Sequence, residues 1–252
     1  MTNILSPSRT PNSMRKELYD CYASRLKGLG PSFDPLRAKR WAKAYRAYLR
    51  GWLPPSRDAA ILDAGCGQGW MLAHLADLGY ANLYGVDISA EQVALARQVV
   101  PDVHEGDAGA YLEAHPERFD IVLAMDLLEH FERSEILSFL SACRRALKPG
   151  GRLILQTPNP ESPFAGEVVF GDLTHETALS PSALRGVLRL AGFDDIRFRE
   201  TGPAPHGVLS SLRWCAWKCL RLGILFWNCV ETGGAGSGIC TRVYLASALK
   251  AR

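Results

Sequence analysis

The stretch ILDAGCGQGW, residues 61–70, constrains the fold more than any other part of this 252-residue chain. An apolar run stops at Asp63, and glycines recur at positions 65, 67 and 69 before a helical pattern, WMLAHLADLG, begins. Glycine tolerates positive φ and lets a ligand or another segment lie against bare backbone. Four more apolar runs follow before residue 158: NLYGVDI, DVHEGD, FDIVLAMD and GRLILQT. Between them lie SAEQVALARQVV and SEILSFLSACRRALKPGG, with apolar residues three and four apart. Such alternation predicts parallel strands covered on both faces, hence a doubly wound α/β sheet. Ser89 with Gln92 predicts a capping box, and Lys148-Pro149-Gly150-Gly151 a helix stop.

The flanks are less regular. Residues 1–58 divide into a polar, proline-broken start, MTNILSPSRTPNS, and two helical stretches, YDCYASRLKGL and PLRAKRWAKAYRAYLRGWL. The start is expected to be a disordered tail and the rest a helical lid. Beyond the central repeats lies a polar insertion at about 158–179, TPNPESPFAGEVVFGDLTHETAL. Next comes a helix, SPSALRGVLRLAGF, capped by Ser180 with Pro181 in its first turn. Strands DDIRFRET and ICTRVYLASALK enclose a second insertion, about 203–238.

Apolar residues make up 47% of the chain and charged ones 22%, enough for one large core. The net charge of +3, from 29 basic and 26 acidic residues, argues against a general nucleic-acid binder. Seven scattered cysteines form no C-x-x-C pair, so neither a disulfide framework nor a metal site is expected. With no apolar leader in MTNILSPSRTPNS, the expected location is cytoplasmic.

In such sheets ligands bind beyond the carboxyl ends of the strands. Acids stand at four of those ends, Asp63, Asp87, Asp107 and Asp126, too many around one glycine loop for capping alone. A dinucleotide loop needs a third glycine where Trp70 stands, and no phosphate-binding G-x-x-x-x-G-K-[ST] is present. Asp63 suits an ammonium group better than a pyrophosphate. The implied ligand carries adenosine and a cationic amine but no phosphates, which is the chemistry of S-adenosylmethionine.

ILDAGCGQG, YGVDIS, EGDA, FDIVLAMDLLEH and LKPGGRLILQTPN resemble, in order and spacing, the motifs of class I S-adenosylmethionine-dependent methyltransferases. The resemblance covers about residues 59–200 and the last strand, and it divides the chain into a lid, 1–58, and a methyltransferase domain, 59–252. It implies a Rossmann-like sheet of seven strands, mostly parallel, with helices on both faces. It also implies cofactor contacts from Gly65, Cys66, Gly67, Gln68 and Gly69, with Asp63 behind them. Asp87 would hold the ribose, Ile88 the adenine face, and Asp107 with Ala108 the adenine edge. Asp126 and Leu128 would lie near the methionine moiety. The later strings, TPNPESP and GDLTHET, resemble a bacterial subgroup associated with polysaccharide or lipopolysaccharide biosynthesis. In that subgroup an amino-terminal tyrosine helix, here ELYDCYASRL, folds over the cofactor, which would bring Tyr22 and Tyr19 to the site.

An alcohol acceptor benefits from a general base. His130, in DLLEHFE, is the first candidate; His175, in GDLTHET, is the second, with Asp172 near enough to orient it. Glu129 reads as a loop-ordering acid. The expected activity is O-methylation of a sugar hydroxyl on a glycan or glycolipid. The alternatives are a quinone, phenolic or natural-product acceptor, a non-catalytic cofactor-binding protein, or an NAD-dependent nucleotide-sugar oxidoreductase. In VLSSLRWCAWKCLRLGILFWNCV, Arg213, Lys218 and Arg221 fall within about 140° of the helical wheel beside Trp214 and Trp217. Residues 208–230 are therefore expected to lie at the inner membrane surface or over a lipid-linked acceptor, the alternative being a helix packed on the domain or at an interface with a second subunit.

Overall fold

The computed structural model describes residues 32–251 together with Gly28 and Gly30. The expected tail and the YDCYASRLKGL helix, with Tyr19 and Tyr22, lie outside the described residues. Seven strands form one sheet in the order β3-β2-β1-β4-β5-β7-β6. They are β1 Ile61–Ala64, β2 Leu83–Asp87, β3 Val103–Glu105, β4 Phe119–Met125, β5 Leu147–Pro158, β6 Phe193–Glu200 and β7 Val243–Lys250. The first five pair in parallel, while β7 runs antiparallel between β5 and β6. The sheet of seven mostly parallel strands is the one the sequence implied.

Helices cover both faces, as the unbroken apolar runs require. One face packs α5 (Ala108–Glu113), α6 (Arg133–Ala146) and α8 (Pro181–Leu190) through Leu112, Phe139, Leu140, Leu184 and Leu188. The other packs α2 (Tyr45–Tyr48), α3 (Trp70–Asp77) and α4 (Ala90–Ala96) through Tyr45, Leu72, Leu75 and Val93. Fully burying one such side chain contributes about 1.5–3 kcal/mol. PLRAKRWAKAYRAYLRGWL makes α1 (Pro35–Ala42) and then α2, rather than a single helix. In the first insertion only α7 (Gly166–Val169) is helical, whereas the second is mostly one long helix, α9 (Val208–Thr232).

Two local expectations are corrected. The Ser89 hydroxyl makes no cap bond to α4 and is buried without a partner. The Ser89 amide, which the Gln92 side chain would accept in a capping box, donates to Asp87 Oδ1 at 2.9 Å. Helix α6 stops at Ala146, ahead of the Lys-Pro-Gly-Gly string, and residues 147–151 already belong to β5. Ser180 does cap α8, accepting the Ala183 amide at 3.2 Å.

Candidate active site

The glycine loop leaves β1 and enters α3 with Gly65, Gly67 and Gly69 all at positive φ. Two of these glycines answer to the protein's own packing. A Cβ at Gly65 would stand 2.8 Å from Leu127 Cδ1, and one at Gly69 would stand 3.0 Å from Ala96 Cα. The loop amides are also committed internally. Gly65 and Cys66 donate to the Val86 carbonyl, Gly69 donates to the Cys66 carbonyl, and Gly67 donates to Asp87 Oδ2 at 2.8 Å. The expectation of bare amides facing the ligand is thus revised for these four. A loop so arranged is no anion nest, in keeping with a ligand that lacks phosphates. Cys66 is buried with its thiol toward β2, which leaves its backbone as the only part able to line a ligand.

The acids of the strand ends have separate roles. Asp63 is buried, its Oδ1 has no hydrogen-bond partner, and burial beside Asp87 pushes its carboxyl up to about 8. Asp87 is 8% exposed and, holding the amides of Gly67 and Ser89, ties the glycine loop to the end of β2. Burial raises its carboxyl, and the amide bonds oppose that rise. Asp107 is exposed and caps α5, with Oδ1 accepting the Ala110 amide at 2.7 Å, so capping does explain this acid. Asp126 sits just past β4 in the left-handed region, φ 52°, with Gln156 Nε2 donating to its Oδ2 at 2.8 Å.

Ile88 is 53% exposed at the end of β2, a free apolar face beside Asp87. Gln68 is half-buried and Ala108 buried. Leu128 is wholly buried in the core under β4 and offers no surface to a ligand. Its neighbour Leu127 lies against Gly65 instead. Tyr22 lies outside the described residues.

Residues that sequence reasoning passed over close this end of the sheet. The Tyr45 hydroxyl donates to Gln156 Oε1 at 2.9 Å, and Gln156 in turn holds Asp126. Burial, with the nearby Asp126 carboxylate, raises the Tyr45 phenol. Trp41 stacks on Tyr45 with centroids 4.1 Å apart and approaches Trp70 at 5.6 Å. The available signal was Gln156, a polar residue ending the apolar run GRLILQT.

His130 and His175 are brought together, with ring centroids 4.9 Å apart and nearly perpendicular planes. His130 Nδ1 lies 3.1 Å from the Thr174 carbonyl and 3.0 Å from Thr174 Oγ1. Thr174 Oγ1 spends its proton on Asp172 Oδ1 at 2.6 Å and can only accept from the ring. Nδ1 therefore carries the proton, and Nε2 carries the lone pair. Asp172 thus reaches His130 through Thr174. His175 Nδ1 faces the Val169 carbonyl at 3.2 Å. Glu129 is buried; burial and the Asp126 carboxylate hold its carboxyl well above the usual range. Its carbonyl accepts the amides of Glu176 and Thr177, fastening the first insertion to the end of β4. Glu129, His130 and His175 each present a ligand atom, all within 4.8 Å of one another, a donor set that suits a divalent cation. Spacing along the chain could not disclose this trio, since the fold alone assembles it.

S-adenosylmethionine fits what is present. The partnerless Asp63 Oδ1 and Ser89 Oγ, the Asp87 carboxylate and the exposed Ile88 side chain supply polar and apolar contacts of the kind it requires. A cleft of about 1050 Å³ lies elsewhere, lined by Tyr48, Phe164, Trp217, Ile224 and Trp227 between α9 and the first insertion.

Residues 61–151 match a family described as a methyltransferase domain. A ubiquinone biosynthesis O-methyltransferase of Cereibacter sphaeroides is 32% identical over 164 residues, covering 56% of this chain and 63% of that protein. One of Hydrogenovibrio crunogenus is 32% identical over 152 residues, covering 54% and 62%. The chain thus aligns with a little under two thirds of the length of these curated relatives. Among solved structures, a SAM-dependent methyltransferase from Archaeoglobus fulgidus has a TM-score of 0.62 at 20% identity, covering 92% of this chain and 99% of that one. Haemonchus contortus phosphoethanolamine N-methyltransferase 2, in complex with S-adenosyl-L-methionine, has a TM-score of 0.59 at 16% identity, covering 93% and 60%. At those identities the likeness is one of fold. The ubiquinone names lend no support to the polysaccharide subgroup.

Proposed function

We propose that this chain is an S-adenosylmethionine-dependent O-methyltransferase acting on a phenolic or quinol-type small molecule. The observation that carries the reading is the joining, at one end of β4, of two assemblies. One is the glycine loop with the acids Asp63, Asp87 and Asp126 at the neighbouring strand ends; the other is the Asp172–Thr174–His130 relay. The chemistry S-adenosylmethionine supplies when bound is a methyl group on a sulfonium, open to in-line displacement. Asp87 would accept hydrogen bonds from the ribose hydroxyls, Ile88 would pack on the adenine, and Asp63 and Asp126 would serve the cationic end. Tyr45, Trp41 and Trp70 exclude water above them.

His130 Nε2 takes the proton of the acceptor hydroxyl, and the imidazolium so formed is steadied by Thr174 and Asp172. This favours a phenol over a sugar alcohol. A phenolic O–H ionises near pH 10, within reach of a neutral imidazole as base, whereas an aliphatic hydroxyl is far weaker as an acid. The ubiquinone-pathway names of the relatives point the same way. The sugar-hydroxyl expectation therefore gives way to its alternative.

Calorimetry with S-adenosylhomocysteine and with NAD, followed by incubation with labelled cofactor and a panel of catechols, phenols and nucleotide sugars, tests the proposal. It expects binding of the first, none of the second, and label on catechols or phenols. Label confined to nucleotide sugars would overturn the acceptor; binding of NAD alone would overturn the enzyme class.

A further inference from the structure

Helix α9 is built the wrong way round for a helix on a water-soluble domain. Two polar side chains turn toward the protein: Arg221 pairs with Glu200 at 3.0 Å, and Asn228 donates to the Gly234 carbonyl at 2.7 Å. Trp217 and Ile224 line the cleft against the first insertion, but a second set of apolar side chains turns away. Val208, Leu209, Leu212, Leu222, Phe226 and Val230 are between 62% and 83% exposed, and none of the helix's 25 residues is buried. On the helical wheel these six share one half with Cys215, Cys219 and Gly223, a surface without a charge about 37 Å long. The first insertion adds Phe164, Phe170 and Leu173, each more than two thirds exposed, and Phe164 lines the same cleft as α9. An exposed apolar helix face of this extent marks a docking face.

We propose that the outward face of α9 docks on a lipid bilayer carrying anionic headgroups. This is independent of the reaction proposed for the sheet end. No helix among the described residues is long and apolar enough to cross a membrane, so the contact is parallel to the surface. The charges flanking the apolar face decide the occupant. Arg213 stands on one rim and Lys218 on the other, both exposed, with Lys218 lying over the Trp214 ring at 5.3 Å. The one acid on the helix's outer rims is Glu231, in its last turn. Pairing with a second copy would set Lys218 against its own symmetry mate, or against the Arg213 rim, whose single acid, Glu231, lies only in the last turn. Anionic headgroups would meet both rims at once, while the aromatic and aliphatic side chains between them enter the acyl boundary.

The test is co-sedimentation of the full chain with vesicles of phosphatidylcholine alone and of phosphatidylcholine mixed with phosphatidylglycerol. The expected result is sedimentation with the mixed vesicles, weaker sedimentation with the neutral ones, and at least a tenfold loss for Leu212→Asp combined with Phe226→Asp. The pair Arg213→Glu and Lys218→Glu should abolish the preference for phosphatidylglycerol. S-adenosylhomocysteine binding by these variants should equal that of the unmodified chain, which shows that they fold and separates this proposal from the cofactor site. Retention of the unmodified chain in the supernatant with both vesicles would overturn it, as would full vesicle binding by the aspartate variant. So would a dimer in sedimentation velocity that the aspartate variant turns into a monomer, because the face would then belong to a second copy.

Discussion

The Asp87 carboxylate accepts the Gly67 amide at 2.8 Å across twenty residues of chain, and its other oxygen takes the Ser89 amide at 2.9 Å. One side chain thus fixes the glycine loop relative to β2. Asp87→Ala should weaken S-adenosylhomocysteine binding by at least tenfold and cost about 2–4 kcal/mol of stability, two amide bonds to a charged acceptor being lost. Isothermal calorimetry and urea denaturation measure the two effects. Undiminished affinity would remove Asp87 from the ribose.

Asp63 should make stability fall as pH rises. Its folded carboxyl sits at about 8 because of burial first and Asp87 second, against 3.8 for the ordinary group. The folded state therefore binds the extra proton between those values. Its contribution is full below about pH 4 and is lost as pH climbs through about 8, with a slope of at most about 1.4 kcal/mol per unit. Asp63→Asn removes this titration, so its stability relative to the unmodified chain should grow from pH 5 to 8 and level off above. A constant difference across that range in urea denaturation would contradict the buried proton. The same proton should leave when a cationic ligand binds, giving a calorimetric enthalpy that depends on the buffer.

Most of the scaffold was legible because each strand's apolar run and each terminal acid obey local rules, and the resemblance added the count of seven, mostly parallel strands. What stayed hidden depends on side-chain direction. Leu127 and Leu128 are adjacent and equally apolar, yet one lies against the glycine loop and the other is sealed in the core. Asp172 stands three residues before His175, which suggested a pair. The intervening turn also commits its carboxylate to Thr174, and through it to a histidine more than forty residues earlier, which spacing could not show. The wheel of residues 208–230 disclosed a basic sector but not which half faces the protein.

His130→Ala should lower kcat on a phenolic acceptor by about 10²-fold or more with little change in S-adenosylhomocysteine affinity. Thr174→Val should cost about 1.5 kcal/mol, roughly tenfold in kcat, by removing the hydroxyl that accepts from the ring. Thr174→Ser should restore the rate, since it keeps that hydroxyl. Should Thr174→Val show unaltered kcat, the relay through Asp172 has no catalytic part. Full rate in both His130→Ala and His175→Ala would dispose of the histidine base altogether.

Gly65→Ala and Gly69→Ala should differ in how they fail. Each forces a side chain to positive φ, at about 1–2 kcal/mol. The first also presses on a flexible tip, Leu127 Cδ1, so Leu127→Ala should recover part of the loss in a double-mutant cycle. The second presses on the backbone of α4, which cannot yield, and its unfolding midpoint in urea should fall further. Equal losses with no recovery would mean that these contacts are not what excludes a side chain.

The approach of Gly69 to Ala96 ties two sites far apart in the chain into a single steric rule. Any enlargement at 96 is barred for the same reason as one at 69, because helix α4 rests directly on the first turn of α3. Among descendants of this sequence the two positions should drift only in concert, and a bulkier residue at either should appear alongside a displaced α4.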